Sequence, residues 1–525
     1  MTWKLFTLTA AFCLFISGCD HANPVVENNK SDSDDIEVFR IGVIGFNEYY
    51  KTYTFSPLES DALSGNFIYS GILDFPFDND LAENIVISEN GRECAVKLRK
   101  DVVFHDGSKL TPEDVIYSLN EAKKNASAGN GPHITSSAIS NMTVENMGEG
   151  KLLFKVNTPG MIKYNLVEFF VVSKRHEKTY NKNPASEYKP NGTGPMRFAG
   201  YDKSKGIITL ERFDGYYTGI QKIKKVLIKS YTDPDAVEMA MLKDEIDYSF
   251  IYGSMGKYIK ESANYVKFEF PNNYSVNIVF NTLSPKLKDW RVRKALSLLV
   301  DRDALVNDHF ALGGADIPTS VAFSYSYPAT KPVSSKPDPV RAMELFRSAG
   351  YKKINGKLIR DGKRLELMVT FNSRNLEYQE RLMRLLGKMW EGAGINITLK
   401  DDEKYGLSGS TGDYEVTISP MADRFLLSDD EENINDKKRD GLSANFSDRE
   451  LERLFRECRN ESRESVLLKK KSRIQQRITD MSPIAPLFYP QLHYLLRGKL
   501  VKDERLAEAI RKDPLRLRYL HQYVK

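Results

Sequence analysis

Residues 98–119 read LRKDVVFHDGSKLTPEDVIYSL, and this stretch specifies a tight turn followed by the start of a helix. Asp106-Gly107 comes after an apolar segment, and a turn is favoured there because glycine tolerates a positive φ. Residues 111–114, TPED, supply an N-cap threonine, a proline with no N–H to lose and acids that face the helix dipole. His105 and Asp106 thus have a structural explanation. Side chains adjacent in sequence usually point apart, so a catalytic pair is disfavoured.

Strand and helix patterns alternate further along the chain. Residues 364–371, RLELMVTF, place apolar side chains at every second position, as in a strand with one buried face. Residues 381–394, RLMRLLGKMWEGAG, change to helical spacing and end at Gly392 and Gly394, and residues 395–400, INITLK, alternate again. This order predicts a β-α-β unit, and the predicted fold class is α/β.

Residues 289–300, DWRVRKALSLLV, predict another amphipathic helix. Its apolar stripe is expected to face the core, and its basic residues are expected to lie mostly on the solvent side. The stripe comprises Val292, Ala295, Leu296, Leu299 and Val300, and the basic residues are Arg291, Arg293 and Lys294.

The length and composition are those of a globular protein with more than one domain. With 525 residues the chain exceeds the size at which a single core stops growing, which predicts two or three domains. Hydrophobic residues make up 41% and charged residues 28%, so extensive disorder is not expected. The net charge of +5 is spread along the chain without a basic block, which disfavours nucleic-acid binding.

The N-terminus resembles the signal of a bacterial lipoprotein. Residues 5–16 form an uncharged apolar run of signal-peptide length, too short to span a bilayer. Residues 16–19, ISGC, resemble the lipobox, in which small residues admit the signal peptidase and the cysteine receives the lipid. This predicts a signal peptide at residues 1–18 and a lipid on Cys19. The alternative is an ordinary secretory signal whose apolar region happens to end in cysteine.

The residues that follow predict how the body is held at the membrane. Residues 19–35 are mostly polar and acidic and lack periodicity, as in a flexible tether. Asp20 resembles the residue that keeps a lipoprotein on the inner membrane in many Gram-negative bacteria. No other apolar run of 18 residues occurs, so the mature body is expected to be soluble and anchored in the cell envelope. In a Gram-negative organism this would be the periplasmic face of the inner membrane.

Cys94 and Cys458 are the cysteines that remain once the signal is removed and Cys19 is lipidated. Cys94 lies in a strand-like segment and Cys458 in a charged helical one, so two separate thiols are favoured over a disulfide. The chain has no CxxC or HExxH, so no metal site and no cofactor are expected. GxSxG, GxxxxGK and GxGxxG are absent too, which removes the easily recognised enzyme classes.

Seven groups of segments, in order, resemble family 5 solute-binding proteins of ABC importers, the peptide and nickel receptor family. The resemblance extends from about residue 40 to the C-terminus. The segments are TFSPLESD at 54–61 with YSGIL at 69–73; residues 81–119; NGTGPMRF at 191–198; PDAVEMAMLKDEIDYSF at 234–250; VNIVFNT at 276–282 with WRVRKALSLLVDRDALV at 290–306; DPVRAMELFRSAGY at 338–351; and PIAPLFYPQLHYLLRGKLV at 483–501.

The resemblance implies an α/β, two-lobed fold of the periplasmic-binding-protein type II kind, with an extra subdomain inserted in the first lobe. Two chain crossings, near residues 270 and 485, would join the lobes, and a few hinge residues there can absorb a rigid-body closure. The implied division is lobe I at residues 36–72, 191–270 and 485–525, the inserted subdomain at 73–190, and lobe II at 271–484.

The resemblance also implies ligand-binding residues. Asp423 matches the aspartate that receives the ligand's α-ammonium, with an exposed loop acid as the alternative. Arg374 lies where dipeptide-type relatives place an arginine that grips the terminal carboxylate with its planar fork, or else is a surface arginine at a helix start. Asn281 resembles a landmark near the cleft but also fits a polar residue at a strand end. Tyr49 and Tyr50 either line the pocket by ring stacking or belong to the core.

The resemblance also suggests the backbone conformation at two more positions. Gly194, in GTGP, resembles another landmark near the cleft and fits a tight turn. Asp244 stands where the family usually has glycine. A left-handed conformation is expected there, since aspartate tolerates it better than most residues.

The resulting functional prediction is a lipid-anchored receptor that captures short peptides between two hinged lobes and delivers them to an ABC importer. Its partners would be a short peptide, the permease complex and, through Cys19, the membrane. The protein is expected to be monomeric and not an enzyme, with no catalytic residues. The alternatives are the same scaffold binding a non-peptide solute, such as an oligosaccharide or a metal chelate, a peptide sensor, or an envelope hydrolase.

Overall fold

The structure is a computed structural model of the chain. It describes residues 36–44, 65, 67–74, 78–127, 139–157, 162–166, 169–182, 188–252, 265–271, 274–307, 315–316, 333–371, 378–401, 414–422, 446–459, 461 and 463–498.

The strands of the described part are short except for the last. They are β1 (Phe39–Ile44), β2 (Ser70–Gly71), β3 (Leu73–Asp74), β4 (Asp78–Asn79), β5 (Ala82–Ile87), β6 (Glu93–Leu98), β7 (Thr143–Gly148), β8 (Lys151–Lys155), β9 (Phe170–Val171), β10 (Met196–Asp202), β11 (Ile207–Arg212), β12 (Lys225–Tyr231), β13 (Tyr248–Tyr252), β14 (Tyr265–Pro271), β15 (Tyr274–Phe280), β16 (Ala315–Asp316), β17 (Lys352–Ile354), β18 (Lys357–Arg360), β19 (Lys363–Arg364), β20 (Glu366–Phe371), β21 (Asn396–Asp401), β22 (Val416–Ala422) and β23 (Ile484–Arg497).

The helices of the described part lie between these strands. They are α1 (Pro112–Ser127), α2 (Ile162–Leu166), α3 (Lys174–Lys182), α4 (Pro234–Leu242), α5 (Trp290–Leu298), α6 (Arg302–Asn307), α7 (Pro339–Ser348), α8 (Tyr378–Gly392), α9 (Arg449–Arg459) and α10 (Glu464–Met481). Among them, none is long and apolar enough to cross a bilayer.

The largest sheet has two halves that share the long strand β23. In the first half the hydrogen-bonded order is β10-β11-β12-β1-β13-β23, and β14 also pairs with β23. In the second half the order is β23-β15-β22-β20-β21, and β16 pairs with β23. Residues 491–497 of β23 pair with β14, whereas residues 484–488 pair with β15. The chain therefore passes between the halves within β23, and again where β14 leads into β15.

Separate hydrophobic clusters stabilise these parts. Side chains of β1, such as Phe39 and Ile41, pack in the first half, and Val276 and Ile278 of β15 pack in the second. The four-stranded sheet β5-β6-β8-β7 and helix α1 share a third cluster, which includes Val115. Each cluster removes apolar surface from water, which is the main term favouring the folded state.

The turn and helix start predicted in residues 98–119 are both confirmed. Gly107 has φ +80°, and the N–H of Phe104 donates to the carbonyl of Ser108 at 2.8 Å. Helix α1 then begins at Pro112. The hydroxyl of Thr111 donates to the carboxylate of Asp114 (2.6 Å), which also accepts from the N–H of Thr111 (2.9 Å). The acid therefore reaches back to the cap residue, as in one half of a capping box.

The β-α-β unit is also confirmed. Strands β20 and β21 are parallel, and helix α8 connects them. Leu367 and Val369 of β20 and Leu382 and Leu386 of α8 are buried in the same cluster. The helix ends at Gly392, and Gly394, with φ +101°, lies in the short connection to β21.

The predicted helix at 289–300 is present as α5, but the prediction for Arg293 is wrong. Its side chain is 1% exposed, whereas the apolar stripe is buried as expected. The guanidinium of Arg293 donates to the carbonyls of Leu287 (2.6 Å) and Lys288 (2.9 Å). It also donates to Met481 (2.6 Å) and Ser482 (3.1 Å) at the end of α10. Carbonyls at a helix end lack intrahelical donors, so a buried cation satisfies them.

Two further sequence predictions are confirmed. Asp244 has φ +59°, the left-handed conformation expected of a residue that replaces glycine. Cys94 and Cys458 are not joined by a disulfide. Cys94 belongs to the cluster of the four-stranded sheet, and Cys458 packs against a different cluster beside α9 and α10.

Candidate functional site

A strip of buried polar side chains lies on one face of the sheet in the second half of the molecule. It consists of Ser275 and Asn277 on β15 and Ser419 on β22, which are 2%, 0% and 1% exposed. Val276 and Ile278 belong to the hydrophobic cluster on the other face, because successive side chains of a strand point to opposite faces. Asn277 and Ser419 are direct partners in the β15–β22 ladder. We call these three residues the polar strip.

The polar strip lies at the end of the sheet where the chain crosses between the halves. Ser275 and Asn277 are among the first residues of β15, directly after the crossing from β14. Further along the same face, Val279 and Ile484 pack in a cluster with residues of α9 and α10. The helices therefore cover the far end of this face, and polar residues occupy the crossing end.

Asn277 has a fixed orientation and an unsatisfied acceptor. Its Nδ2 donates to the carbonyl oxygen and to the hydroxyl of Ser275, both at 2.9 Å. A carbonyl only accepts, so these contacts assign the amide nitrogen and leave Oδ1 on the other side. In the described part of the chain, nothing donates to Asn277 Oδ1. A buried acceptor without a donor costs about 1 to 3 kcal/mol, which makes it a candidate contact for a ligand.

A neighbouring polar residue on the same face has a structural role instead. Thr417 lies opposite Val279, near the end of the face covered by helices. Its hydroxyl donates to the carbonyl of Thr370 at 2.9 Å and so joins β22 to β20. Burial of a polar group is therefore not sufficient to mark the site; the unsatisfied acceptor distinguishes Asn277.

Asn281 is the one predicted ligand-binding residue that falls within the described part. Its Nδ2 donates to the carbonyl of Tyr414 (2.9 Å), and its Oδ1 accepts from the N–H of Leu283 (3.1 Å). The two ends of the amide thus bind the main chain just after β15 and just before β22, as in the strand-end alternative. A contact with ligand stays a prediction.

The other predicted functional residues lie outside the described residues. They are Asp423, Arg374, Tyr49 and Tyr50 for the ligand and Cys19 for the lipid. The polar strip was not predicted, although its signal is present in the sequence. Polar and apolar residues alternate in SVNI at 275–278 and in VTIS at 416–419, as in strands with one polar face.

In the first half, the loop at residues 191–194 packs against the turn of residues 98–119. Gly194 accepts a hydrogen bond from Nε2 of His105 (3.0 Å), and the N–H of Gly192 donates to Nδ1 (3.4 Å). One ring nitrogen donates and the other accepts, which requires a neutral imidazole protonated on Nε2. The ring also packs edge-on against Phe213. His105 is thus a structural link, as its sequence context indicated.

The environment of His105 predicts a loss of stability in acid. Desolvation lowers the pKa of His105 from 6.5 to about 4. Between these values the unfolded chain binds a proton that the folded chain does not. The free energy of unfolding is therefore expected to fall by about 2 to 3 kcal/mol as the pH drops from 6.5 to 4, with no further loss below.

Urea denaturation of the wild type and of His105→Gln at pH 7 and pH 4 checks this prediction. The stability difference, wild type minus variant, should decrease by about 2 to 3 kcal/mol at pH 4. Burial raises the pKa of Glu177 to about 7. The resulting contribution to stability is fully present below pH 4.5 and is lost as the pH rises through 7. This opposite effect is present in both proteins and cancels. An unchanged difference would contradict the role given to His105.

Within the described ranges, no three His, Cys, Asp or Glu side chains are grouped as a metal ion would require. The polar strip is uncharged, so the interaction it can offer is hydrogen bonding. Its components are one amide and two hydroxyl groups at the edge between the two halves.

Comparison with known proteins identifies the family. The model of bacterial extracellular solute-binding proteins, family 5 Middle, matches residues 77–430. The oligopeptide-binding protein AppA of Bacillus subtilis is 25% identical over 440 residues, which are 80% of this chain and 79% of that protein. A putative ABC transporter peptide-binding protein of Brucella ovis is 24% identical over 326 residues, 61% of this chain and 59% of that protein.

Solved structures show the same fold. AppA of Bacillus subtilis in complex with a nonapeptide has a TM-score of 0.71 at 21% identity, covering 93% of this chain and 99% of that one. NikA of Brucella suis in complex with Fe(III)-EDTA has a TM-score of 0.75 at 17% identity, covering 89% of this chain and 96% of that one. These likenesses confirm the predicted two-lobed α/β fold. The chain belongs to the bacterial extracellular solute-binding proteins of family 5.

Proposed function

We propose that this protein is a receptor that captures short peptides between its two lobes and presents them to an ABC importer. The similarity to AppA and to the Brucella ovis protein, both named for peptide binding, supports this assignment. The observation that carries it is the unsatisfied acceptor of Asn277 in the polar strip, at the crossing end of the second half. A peptide is rich in the N–H donors that such an acceptor needs.

The first half also contains buried polar atoms that a ligand would satisfy. Within the described residues, Asn191 Nδ2 and Thr193 Oγ1 have no hydrogen-bond partner. We infer that contacts from both lobes form together only in a closed state. A ligand with this differential affinity shifts the population towards closure.

The charged ends of the peptide are assigned to residues outside the described part. In this proposal Asp423 binds the α-ammonium and Arg374 the terminal carboxylate, and Tyr49 and Tyr50 line the pocket. A hydrogen-bonded charge pair contributes about 1.5 to 3 kcal/mol, against roughly 8 kcal/mol for micromolar affinity. Contacts with the peptide main chain must therefore supply a large share of the affinity.

The proposed cellular setting is the outer face of a membrane, to which a lipid on Cys19 ties the folded body. The extracellular family and the lipobox-like residues before Cys19 support this placement. The mass of the mature N-terminal peptide tests it, because a chain that starts at an unmodified residue would exclude the anchor. The receptor is proposed to return its ligand unchanged, without turnover.

Isothermal titration with di- to pentapeptides tests the proposed function. Saturable binding with micromolar or tighter affinity is expected, together with a higher melting temperature when peptide is in excess. Peptide recovered after incubation should be intact. If no peptide produces heat or a thermal shift at millimolar concentration, the peptide assignment is wrong.

A metal chelate is the second candidate solute, because the similar NikA structure holds Fe(III)-EDTA. Native mass spectrometry of protein purified without added ligand separates the candidates. A retained peptide would support the first assignment, and a retained chelate would support the second.

A further inference from the structure

We propose that the exposed face of the three-stranded sheet β17-β18-β19 binds an anionic lipid bilayer and so holds the second half of the molecule against a membrane surface. The inference is independent of the solute that the receptor carries. It assigns an interaction surface to residues that take no part in the candidate site.

The sheet concentrates basic residues that the sequence distributes over two hairpins. Residues 352–364, KKINGKLIRDGKR, contain six basic residues and one acid, Asp361. This excess of five positive charges equals the net charge of the whole chain, +5. Asn355-Gly356 and Asp361-Gly362 separate the cations in sequence, and all four have a positive φ, as in the two-residue turns of tight hairpins. The turns therefore bring the cations together on one small sheet.

The two faces of this sheet differ in their surroundings. Leu358 is fully buried in the hydrophobic cluster of the second half, and Arg360 on the same face lies 4.6 Å from the ring centroid of Tyr351. The composition of the opposite face follows from the register, because residues directly opposite each other in an antiparallel ladder point to the same side. We call this opposite face the basic face; it comprises Lys352, Ile354, Lys357, Ile359 and Arg364.

The basic face is exposed, and its lysines lack acidic partners. Lys352 and Lys357 are exposed, and Ile354 is 47% exposed. Within the part of the chain that the structure describes, neither lysine forms an ion pair. Arg364 donates to the carbonyl of Gly394 at 3.4 Å, which is a neutral acceptor. The positive charge of this face is thus available to an anionic partner.

A bilayer with anionic headgroups complements both kinds of side chain on the basic face. Each lysine near such a surface strengthens binding by about fivefold. Ile354 lies directly opposite Lys357, and an apolar side chain beside lysines enters the boundary between headgroups and acyl chains, as in other interfacial segments. An acidic protein surface would attract the lysines but would leave Ile354 without an apolar contact. We therefore assign the basic face to lipid.

The proposed lipid on Cys19 would raise the effective concentration of the basic face at the membrane. For a linker as short as residues 19–35, the effective concentration of a linked contact is about millimolar. A weak electrostatic contact is then populated, and the lipid and the basic face act as two signals for one membrane. Binding of the unlipidated chain to vesicles does not depend on this anchor.

The test measures sedimentation of the full mature chain with vesicles, using Cys19→Ser in every protein so that no lipid is attached. Vesicles of phosphatidylcholine with one quarter phosphatidylglycerol should bind the protein at least about tenfold more tightly than vesicles of pure phosphatidylcholine. Raising the salt from about 0.1 M to about 0.5 M should remove most of this difference, because surface charges are screened. Lys352→Gln combined with Lys357→Gln should weaken binding to the anionic vesicles by about 25-fold.

Lys97→Gln combined with Lys155→Gln is the matched control, because it removes the same charge from another exposed sheet face. These lysines pair with Glu83 (2.9 Å) and Glu145 (3.0 Å) on the sheet β5-β6-β8-β7. The control should keep its affinity for the anionic vesicles within about twofold, since charges beyond a Debye length contribute little.

Polyglutamate is the probe for an acidic protein as the alternative partner. Ile354→Ser should weaken binding to the anionic vesicles by about fivefold and leave binding to polyglutamate unchanged. If the wild type binds polyglutamate but not the anionic vesicles, the partner is an acidic protein and the lipid assignment is wrong.

Three further results would overturn the inference. They are equal binding of the wild type to anionic and neutral vesicles, unchanged binding of the variant that lacks Lys352 and Lys357, and an equal loss in this variant and the control. Peptide affinity in solution should be the same in all these variants. Failure of the vesicle experiment would therefore leave the proposed receptor function intact, and failure of peptide binding would leave the basic face intact.

Discussion

Replacing Arg302 with alanine is expected to lower the free energy of unfolding by about 3 to 5 kcal/mol. The side chain is 2% exposed and lies at the start of α6. Its guanidinium donates to the carbonyls of Pro486 (2.7 Å) and Ser334 (3.2 Å) and to the hydroxyl of Ser297 (3.3 Å). The substitution would leave a cavity and would remove the donor from buried carbonyls.

The hydrogen bond from Arg302 to the carbonyl of Pro486 links α6 to strand β23 of the sheet. The β15–β23 ladder is irregular between Val276 and Asn277, where it skips Leu487. Arg302 holds the carbonyl of Pro486 beside this irregularity, in the strand next to the polar strip. Burial lowers the pKa of Arg302 to about 10. This value is still well above 7, so the guanidinium is charged at neutral pH.

Equilibrium urea denaturation measures the effect. Arg302→Lys keeps the charge but not the planar fork and should lose about 2 kcal/mol. Arg341→Ala is the matched control, because Arg341 is exposed and forms an i,i+3 ion pair with Glu344 at 2.8 Å. It should change the stability by at most about 0.5 kcal/mol. Equal stability of Arg302→Ala and Arg341→Ala would show that the buried guanidinium has no stabilising role.

Gly194→Ala is expected to cost about 3 kcal/mol, because an added Cβ has no space. That atom would lie 2.4 Å from the carbonyl oxygen of Phe67 and 2.7 Å from the carbonyl carbon of Ile68. Both are backbone atoms and cannot move aside without distorting the chain. The N–H of Gly194 also donates to the carbonyl of Ile68 at 2.8 Å, so the close approach is part of the contact.

Gly200→Ala provides the control on a neighbouring strand. Gly200 lies in β10, where an added Cβ meets nothing within 4 Å. This variant should be as stable as the wild type or more stable by about 0.5 kcal/mol, because alanine reduces the entropy of the unfolded chain. Thermal or urea unfolding of the two variants distinguishes crowding from a general effect of alanine. Equal stability of both would contradict the close approach of Gly194 to residues 67 and 68.

Gly194 also shows that local sequence can suggest the wrong reason for a glycine. Its sequence context indicated a tight turn, but the structure shows that the missing side chain matters because two segments of backbone approach each other. The approaching segment, residues 67–68, is distant in sequence. A local pattern cannot reveal which segment will pack there.

Arg293 is a second case in which tertiary contacts override a local pattern. The helical period of residues 289–300 predicted the buried stripe correctly, because that stripe depends only on spacing along one helix. It placed Arg293 on the solvent side because the pattern contains no information about the end of α10. The carbonyls at the end of α10 lack donors within the helix and accept hydrogen bonds from the guanidinium, so Arg293 is buried.

The polar strip illustrates the same limit at the candidate site. Alternation along β15 and β22 is visible in the sequence, but it does not show which face is covered or which strands are neighbours. Asn277 becomes a partner of Ser419 only through the register of the β15–β22 ladder. The unsatisfied acceptor is then a property of the assembled sheet.

Local chemistry was sufficient for the tight turn at Gly107, the start of α1, the left-handed Asp244, the β-α-β unit and the α/β class, since each depends on residues within one or two elements. The resemblance of ordered segments was sufficient for the family. The folded chain alone decided the buried positions of Arg293 and Arg302, the sharing of β23 by both halves and the place of Asn277. These features depend on hydrogen bonds between segments far apart in sequence, whose partners are set only when the whole sheet forms.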